Sequence, residues 1–98
     1  MKRLEIVFNC VSEASGFSPE QLKSRSRNGE LTLARAAFAY FARKKGIPFV
    51  KIGKMIGRDH ATVISADRRF RCLLAARDEE AEDLNEGVMK VLNNNVNI

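Results

Sequence analysis

The sequence predicts a small all-α domain. Apolar residues recur at helical spacing, strand-like period-two alternation is absent, and glycine or proline separates the periodic segments. A chain of 98 residues with 45% apolar content has room for one hydrophobic core. We therefore expect residues 1–98 to form a single helical domain.

Two helices are predicted at the start of the chain. Apolar residues at helical spacing indicate the first helix over residues 2–15, which Gly16 would end. Ser18, followed by a proline and then by Gln21, has the pattern of a capping box. A short second helix over about residues 19–24 follows from it.

A basic loop and a long helix come next. Residues 24–29, SRSRNG, are polar and end in glycine, which indicates a loop. A helix over residues 30–45 is predicted by an apolar stripe of Ala34, Ala37, Phe38 and Phe41. Arg35, Ala39 and Arg43 are spaced four apart on another face. We expect both arginines to lie along one exposed edge.

A helix-turn-helix is predicted over about residues 49–76. A short apolar helix over 49–56 is followed by a turn at Gly57, and Asp59 can cap a helix that runs to Ala76. A short helix, a glycine turn and a second helix are typical of this motif. The predicted inward residues of the second helix are Val63, Ala66, Phe70, Leu73 and Leu74.

The last predicted helix covers about residues 78–92. It is acidic at its start and carries Leu84, Val88 and Val91 for packing. The three asparagines at 93–95 are expected to fray. One interpretation of Arg68, Arg69 and Arg71 is that they pair with the acidic stretch at 78–83.

The charge distribution favours a polyanionic partner. The formal net charge is +5, and residues 23–71 hold 13 basic side chains against three acidic ones, a local net charge of +10. Repulsion inside such a region disfavours folding unless the charges are spread apart or a ligand neutralises them. A basic middle between acidic ends therefore indicates a nucleic-acid-binding surface.

Several classes of protein are excluded by pattern. No apolar run approaches the length of a membrane span, and no basic n-region leads into an apolar stretch as in a signal peptide, so we expect a cytoplasmic protein without membrane contact. Cys10, Cys72 and the single His60 are too few and too far apart for a zinc site, and both cysteines are expected to be buried thiols. Without a Walker A sequence, a dinucleotide fingerprint or a catalytic triad, we expect no cofactor, no nucleotide and no enzymatic activity.

The candidate functional residues lie at the start of the second helix of the motif. In a helix-turn-helix this first turn meets base edges in the major groove. Aspartate can accept from cytosine, threonine and histidine can bond bases or phosphates, and a methyl group can touch thymine. On a helical wheel Ala61, Ser65 and Arg68 point away from the core, and His60 lies on the flank, so it reaches DNA only if the helix enters by its tip. The candidates are Arg58, Asp59, His60, Ala61, Thr62 and Ser65.

At these residues the sequence resembles a known family. GRDHATV at residues 57–63 is similar to the GRDHTTV signature of the C-terminal DNA-binding domain of the bacterial chromosomal replication initiator DnaA. EQLKSRSR at 20–27, the segment from Ala34 to Arg43 and the segment from Ile52 to Gly57 resemble further parts of that domain in the same order. The match spans about residues 3–75.

The resemblance implies a TrpR-like helical fold that binds the double-stranded DnaA box. By position, Arg27 would enter the minor groove, with Arg25 as the alternative in a shifted register. Arg35 and Arg43 would grip phosphates, and Lys44 is a further candidate whose alternative is a solvated helix-face charge. Asp59, His60 and Ala61 would meet bases, and Thr62 would bond a phosphate.

The sequence departs from the family by two substitutions and by two segments that are each one residue short, the loop after Gly46 and the turn before Gly57, and it lacks the family's other parts. Ala61 replaces the usual threonine, which removes a hydroxyl at the base interface, and Ala36 replaces a glutamine. The ATPase and helicase-loading parts are outside these 98 residues. We therefore expect a nucleoid-associated regulator or competitor of replication initiation, of bacterial or phage origin. The alternative is a protein-interaction domain that keeps the fold without box recognition and engages a partner through the acidic C-terminal helix.

Overall fold

The computed structural model describes residues 2–94, and within that range it contains six helices and no strand. The prediction of an all-α fold is confirmed. The helices are α1 (Lys2–Ser15), α2 (Pro19–Lys23), α3 (Gly29–Lys44), α4 (Phe49–Ile56), α5 (His60–Ala75) and α6 (Glu79–Asn93).

Local capping explains where the helices begin. The Ser18 hydroxyl accepts from the Gln21 amide, and the Gln21 side chain accepts from the Ser18 amide, which completes the predicted capping box. Asp59 and Asp78 cap α5 and α6 by accepting from backbone amides in the first turn. The predicted bounds of α1, α4 and α5 agree with the structure to within one residue.

The boundary between the basic loop and α3 was predicted one residue too late. The Asn28 side-chain oxygen accepts from the amides of Glu30 and Leu31, so Asn28 is the cap and Gly29 is the first helical residue. At the other end of the chain, Asn93 is still helical and Asn94 is the cap, so fraying at 93 is wrong. Residue 95 lies outside the described residues.

The long helix α3 lies at the centre and packs against α1, α5 and α6. Five buried alanines on α3 leave room for close approach of its neighbours. Phe38 packs edge-on against Phe8 at 5.1 Å between ring centroids, and Phe70 packs against Tyr40 at the same distance. The expected core positions of Phe38, Phe41 and Phe70 are confirmed.

Two glycines set the crossing of α4 and α5. Gly57 adopts a left-handed conformation with φ of 68°, and the Arg58 amide donates to the Gly53 carbonyl at 2.8 Å. A Cβ atom at Gly53 would collide with the Arg58 carbonyl oxygen and crowd Val63. The tight turn of the helix-turn-helix therefore depends on the missing side chain of Gly53.

Two expectations about α5 are corrected. Cys10 is buried, but Cys72 is exposed because it lies two residues after the buried Phe70, and two residues turn about 200° around a helix. Arg71 forms an ion pair with Asp67 one turn earlier on the same helix. In the acidic stretch, Glu82 forms an ion pair with Arg77.

Candidate nucleic-acid interface

The first turn of α5 projects from the domain. Val63 and Phe70 anchor the helix in the core, which leaves the opposite side open to solvent. The exposed candidates of the first turns are Asp59, His60, Ala61, Thr62 and Ser65, as predicted from the helical wheel for Ala61 and Ser65.

Asp59 holds the tip of α5 together. Its carboxylate accepts from the Thr62 amide at 2.8 Å. This bond, followed by a bond from the Thr62 hydroxyl, lowers the pKa of Asp59 from its ordinary value. Asp59 therefore stays negatively charged at neutral pH and acts as a cap, a role that is compatible with accepting a hydrogen bond from cytosine.

The basic loop consists of residues 24–28 and places Arg25 and Arg27 in solvent. Its two ends are bonded locally, Ser24 to the Gln21 carbonyl and Asn28 to the first turn of α3. Between its own residues, the Ser26 amide donates to the Ser24 hydroxyl and the Asn28 amide to the Ser26 hydroxyl, both at 3.3 Å. Bonds of this length are weak by the usual geometric criteria. The loop's conformation must therefore be fixed by other parts of the molecule.

Arg35 supplies much of that support, and its expected place on an exposed edge is wrong. Its side chain is buried because α2 and the basic loop fold over this face of α3. The guanidinium donates to the carbonyl oxygens of Gln21, Leu22, Ser24 and Ser26 and to the Ser24 hydroxyl. Neighbouring Ala39, also expected on that edge, is fully buried.

Arg58, in the turn between α4 and α5, bonds the same loop. Its Nη1 atom donates to the Ile56 carbonyl at 3.0 Å, and its Nη2 atom donates to the Ser24 carbonyl at 2.7 Å. Arg35 donates to that same Ser24 oxygen at 2.7 Å. Burial, and after it the positive charge of Arg58, lower the pKa of Arg35 from its ordinary value.

A groove of about 650 Å³ separates the basic loop from α5. Arg25, Ser26 and Arg27 line one wall, and Thr62, Val63 and Ala66 line the other. The remaining lining residues are Thr32, Arg35, Ala39, Ile56 and Arg58. The basic loop and α5 thus face each other across one concave, positively charged surface. Of the exposed first-turn candidates, Thr62 lines this surface, whereas Asp59, His60, Ala61 and Ser65 do not.

Arg43 and Lys44 are exposed but do not line this groove. The Arg43 guanidinium lies over the Phe49 ring at 4.9 Å, which places it at the start of α4. The Lys44 ammonium lies 5.1 Å from the centre of the Tyr40 ring, and Lys44 lines a separate groove with Met89 and Asn93. Arg43 is therefore beside the helix-turn-helix, whereas Lys44 is on the side of α6.

Sequence reasoning missed the structural roles of Arg35 and Arg58, both of which bind main-chain carbonyls. One signal was available for Arg35, because its immediate neighbours on α3, Ala34 and Ala36, are small enough to allow a close helix contact. For Arg58 we find no local signal, since Ser24 is 34 residues away in the sequence.

Among residues 2–94, no three metal-ligating side chains of histidine, cysteine, aspartate or glutamate come together. No helix in the described part of the chain is both long enough and apolar enough to cross a membrane.

Comparisons with known proteins match this chain to one family. The family model described as the bacterial DnaA protein helix-turn-helix matches residues 4–69. The chain is 34% identical over 86 residues to the chromosomal replication initiator protein DnaA 1 of Chlamydia muridarum, covering 87% of this chain and 19% of the relative.

More distant relatives give the same result. DnaA 1 of Chlamydia pneumoniae is 33% identical over 92 residues, which is 93% of this chain and 19% of the relative. DnaA of Kosmotoga olearia is 29% identical over 71 residues, which is 71% of this chain and 16% of the relative. The chain thus spans about a fifth of the length of the relatives that it matches.

Proposed function

The chain belongs to the bacterial DnaA helix-turn-helix family, a family of DNA-binding domains, and we propose that it binds duplex DNA at sites similar to the DnaA box. In this proposal α5 enters the major groove by its first turn, and the basic loop enters the adjacent minor groove. The observation that carries the proposal is the groove in which loop arginines and the first turns of α5 face each other.

The proposal assigns base contacts to the exposed tip of α5. Asp59, His60 and Ala61 would meet base edges, and Thr62 and Ser65 would bond the flanking bases or phosphates. Because Ala61 offers a methyl group and no hydroxyl, it would favour contact with a thymine methyl over a hydrogen bond. The preferred site is therefore proposed to differ from the family's box at the base that Ala61 faces.

The proposal assigns the electrostatic contacts to the exposed cations. Arg27 would enter the minor groove, with Arg25 as the alternative, and Arg43 and Lys44 would meet phosphates. The buried Arg35 and the half-buried Arg58 contribute positive potential to the groove while their guanidinium groups are bonded to main-chain carbonyls.

We also propose a regulatory role for the bound domain, on the nucleoid and in the cytoplasm, where bacterial DNA lies. Two recognition helices cannot occupy the same stretch of major groove, so a bound copy would compete with any initiator for that site.

A protein contact through α6 stays a prediction. The acidic start of α6 already has a structural explanation, because Asp78 caps the helix and negative charge is favoured near a helix N-terminus.

The test is the salt dependence of binding to duplexes with and without a DnaA box. We expect tighter binding to the box and a steep salt dependence, with a log–log slope of about −0.9 per neutralised phosphate. Arg43→Ala should flatten the slope by about one unit and leave the preference for the box intact. A slope near zero for the unmodified protein would refute DNA binding, and equal affinity for both duplexes would refute box recognition.

A further inference from the structure

The start of the basic loop is held by two arginines from different parts of the chain. The carbonyl oxygen of Ser24 accepts from Arg35 on α3 and from Arg58 in the turn before α5, each at 2.7 Å. Arg35 also donates to the Ser26 carbonyl at 2.7 Å, inside the loop itself. We call these two side chains and the Ser24 carbonyl the arginine clamp.

The clamp brings two like charges to one atom, which is unfavourable unless something compensates. The compensation comes from carbonyl oxygens: Leu22, in the last turn of α2, accepts from Arg35 at 2.8 Å. The Gln21 carbonyl, which already accepts from the Ser24 amide and hydroxyl, accepts a further bond from Arg35 at 3.2 Å. The Ile56 carbonyl, in the last turn of α4, accepts from Arg58 in the same way. The cost of placing two cations together is therefore offset by satisfying helix ends that would otherwise need water or another donor.

The two arginines connect the loop to different helices. Arg35 fixes it to the central helix α3, whereas Arg58 is two residues before the first residue of α5 and fixes it to the recognition helix. The position of Arg25 and Arg27 relative to His60 is thus set by two routes: through Arg35 and the packing of α3 against α5, and directly through the bond from Arg58.

We propose that Arg35 and Arg58 are positioning residues that hold the basic loop in its DNA-binding conformation before DNA is present. The inference rests on the proposed function, since it concerns how the minor-groove arm is presented to DNA. A preorganised loop does not have to lose conformational freedom when it binds, so the clamp raises affinity and selectivity at the minor-groove end of the site. It also fixes the distance between the two contacts, which makes the spacing of the two readout positions on DNA a property of the protein.

The first arm of the test uses the free protein. In Arg35→Lys and Arg58→Lys the positive charge remains, but a single ammonium group cannot bond the same set of carbonyls as a guanidinium fork. We expect tryptic cleavage after Arg25 and Arg27, followed by mass spectrometry, to accelerate about tenfold in both variants, because cleavage follows local opening. Arg43→Lys is the matched control, since it makes the same exchange at an exposed position of α3. Cleavage rates equal to those of the control would overturn the clamp.

The second arm measures DNA discrimination. At the minor-groove end, exchange of A·T for G·C pairs should weaken the unmodified protein by about fivefold or more, in the range usual for a mismatched pair. We expect this ratio to fall to within about twofold of one in both lysine variants, while exchanges opposite α5 keep their penalty. If the two arginines only stabilised the fold, the penalties for base-pair exchanges at the minor-groove end and opposite α5 would fall together. That result, or an unchanged ratio at the minor-groove end, would overturn the proposal.

The two arms separate the clamp from the proposed function. Failure of the unmodified protein to prefer any duplex would refute the proposed function, whereas the digestion, which contains no DNA, supports or overturns the clamp by itself. Arg58 is only half-buried, so Arg58→Lys keeps the test decisive if Arg35→Lys does not fold.

Discussion

The recognition helix α5 and the basic loop face the same groove but are held in place by different forces. Helix α5 has its own backbone hydrogen bonds and is anchored by the buried side chains of Val63 and Phe70. The loop buries no apolar side chain, and its carbonyl oxygens are bonded by Arg35 and Arg58. One wall of the groove therefore depends on the hydrophobic core, and the other depends on charged side chains.

This difference predicts that the two walls respond to different perturbations. Hydrophobic burial is insensitive to the charge state and is lost only when the core is opened. Bonds from charged donors to carbonyls require a guanidinium of the right shape in a fixed position. Core substitutions should unfold the domain as a whole, whereas arginine substitutions should loosen the loop and leave α5 in place.

The largest expected effect comes from opening the core beneath α5. Phe70 is fully buried and lies 5.1 Å from Tyr40 and 6.4 Å from Phe41 between ring centroids. Phe70→Ala should lower the free energy of unfolding by about 3–5 kcal/mol in a urea titration, because it removes buried surface and leaves a cavity. The control Val50→Ala, at an exposed position, should change it by less than about 1 kcal/mol. Similar losses in both variants would show that Phe70 does not anchor the helix.

A smaller loss of stability is expected on the loop side. Arg35→Met keeps an unbranched apolar stem and removes the donors of the guanidinium, so buried carbonyls such as that of Leu22 lose their partner. An unsatisfied buried group costs about 1–3 kcal/mol, and urea titration should show a loss of that size. Arg43→Met, at an exposed position, should stay within about 0.5 kcal/mol of the unmodified protein. If the two methionine variants were equally stable, Arg35 would not support the loop.

The tip of α5 tests recognition rather than stability. His60 is exposed, so His60→Ala should leave the fold intact. We expect a loss of about 1–3 kcal/mol in binding to the preferred site and little change on random duplex, because a base contact discriminates and a phosphate contact does not. Binding isotherms on both duplexes make the comparison. Equal losses on the two would assign His60 to the phosphate backbone.

The smallest expected effect concerns the pH dependence of the cap. The pKa of Asp59 is lower in the folded protein, so its contribution to stability is present above the unfolded pKa and is lost as the pH falls through the folded pKa. Asp59→Asn keeps a capping oxygen but does not ionise. The melting temperature of the unmodified protein should therefore exceed that of Asp59→Asn by more at pH 7 than at about pH 2. A difference that does not change with pH would show that ionisation of Asp59 does not stabilise the helix.

Most of the helical wall could be predicted from the sequence, because its signals are local. The cap at Asp59, the turn at Gly57 and the spacing of Val63 and Phe70 lie within a few turns of one another. These short-range features define both the start of α5 and the face that it exposes. The angular distance between Cys72 and Phe70 on the helix also indicates that Cys72 is exposed, contrary to the expectation that it is buried.

The loop wall could not be predicted, because its support comes from distant residues. The spacing of α3 correctly separates Arg35 from the main apolar stripe, but spacing cannot show that α2 and the loop fold over that second face. Of the two arginines predicted to lie on one exposed edge, Arg35 is consequently buried and Arg43 is exposed. A resemblance to a family identifies the residues near DNA, but it does not distinguish an arginine that touches DNA from one that holds the loop.

In the proposed DNA interface, the basic loop and α5 read two ends of one DNA site. This arrangement is tested most directly by measuring the affinity of the unmodified protein and of Arg27→Ala for duplexes with A·T or G·C pairs at the minor-groove end, with Arg25→Ala as the alternative in a shifted register. A narrow A·T-rich minor groove attracts a guanidinium more strongly than a G·C-rich one. We expect the exchange to G·C to weaken binding of the unmodified protein more than binding of Arg27→Ala. Equal weakening of the unmodified protein and both alanine variants would show that the loop does not read the site.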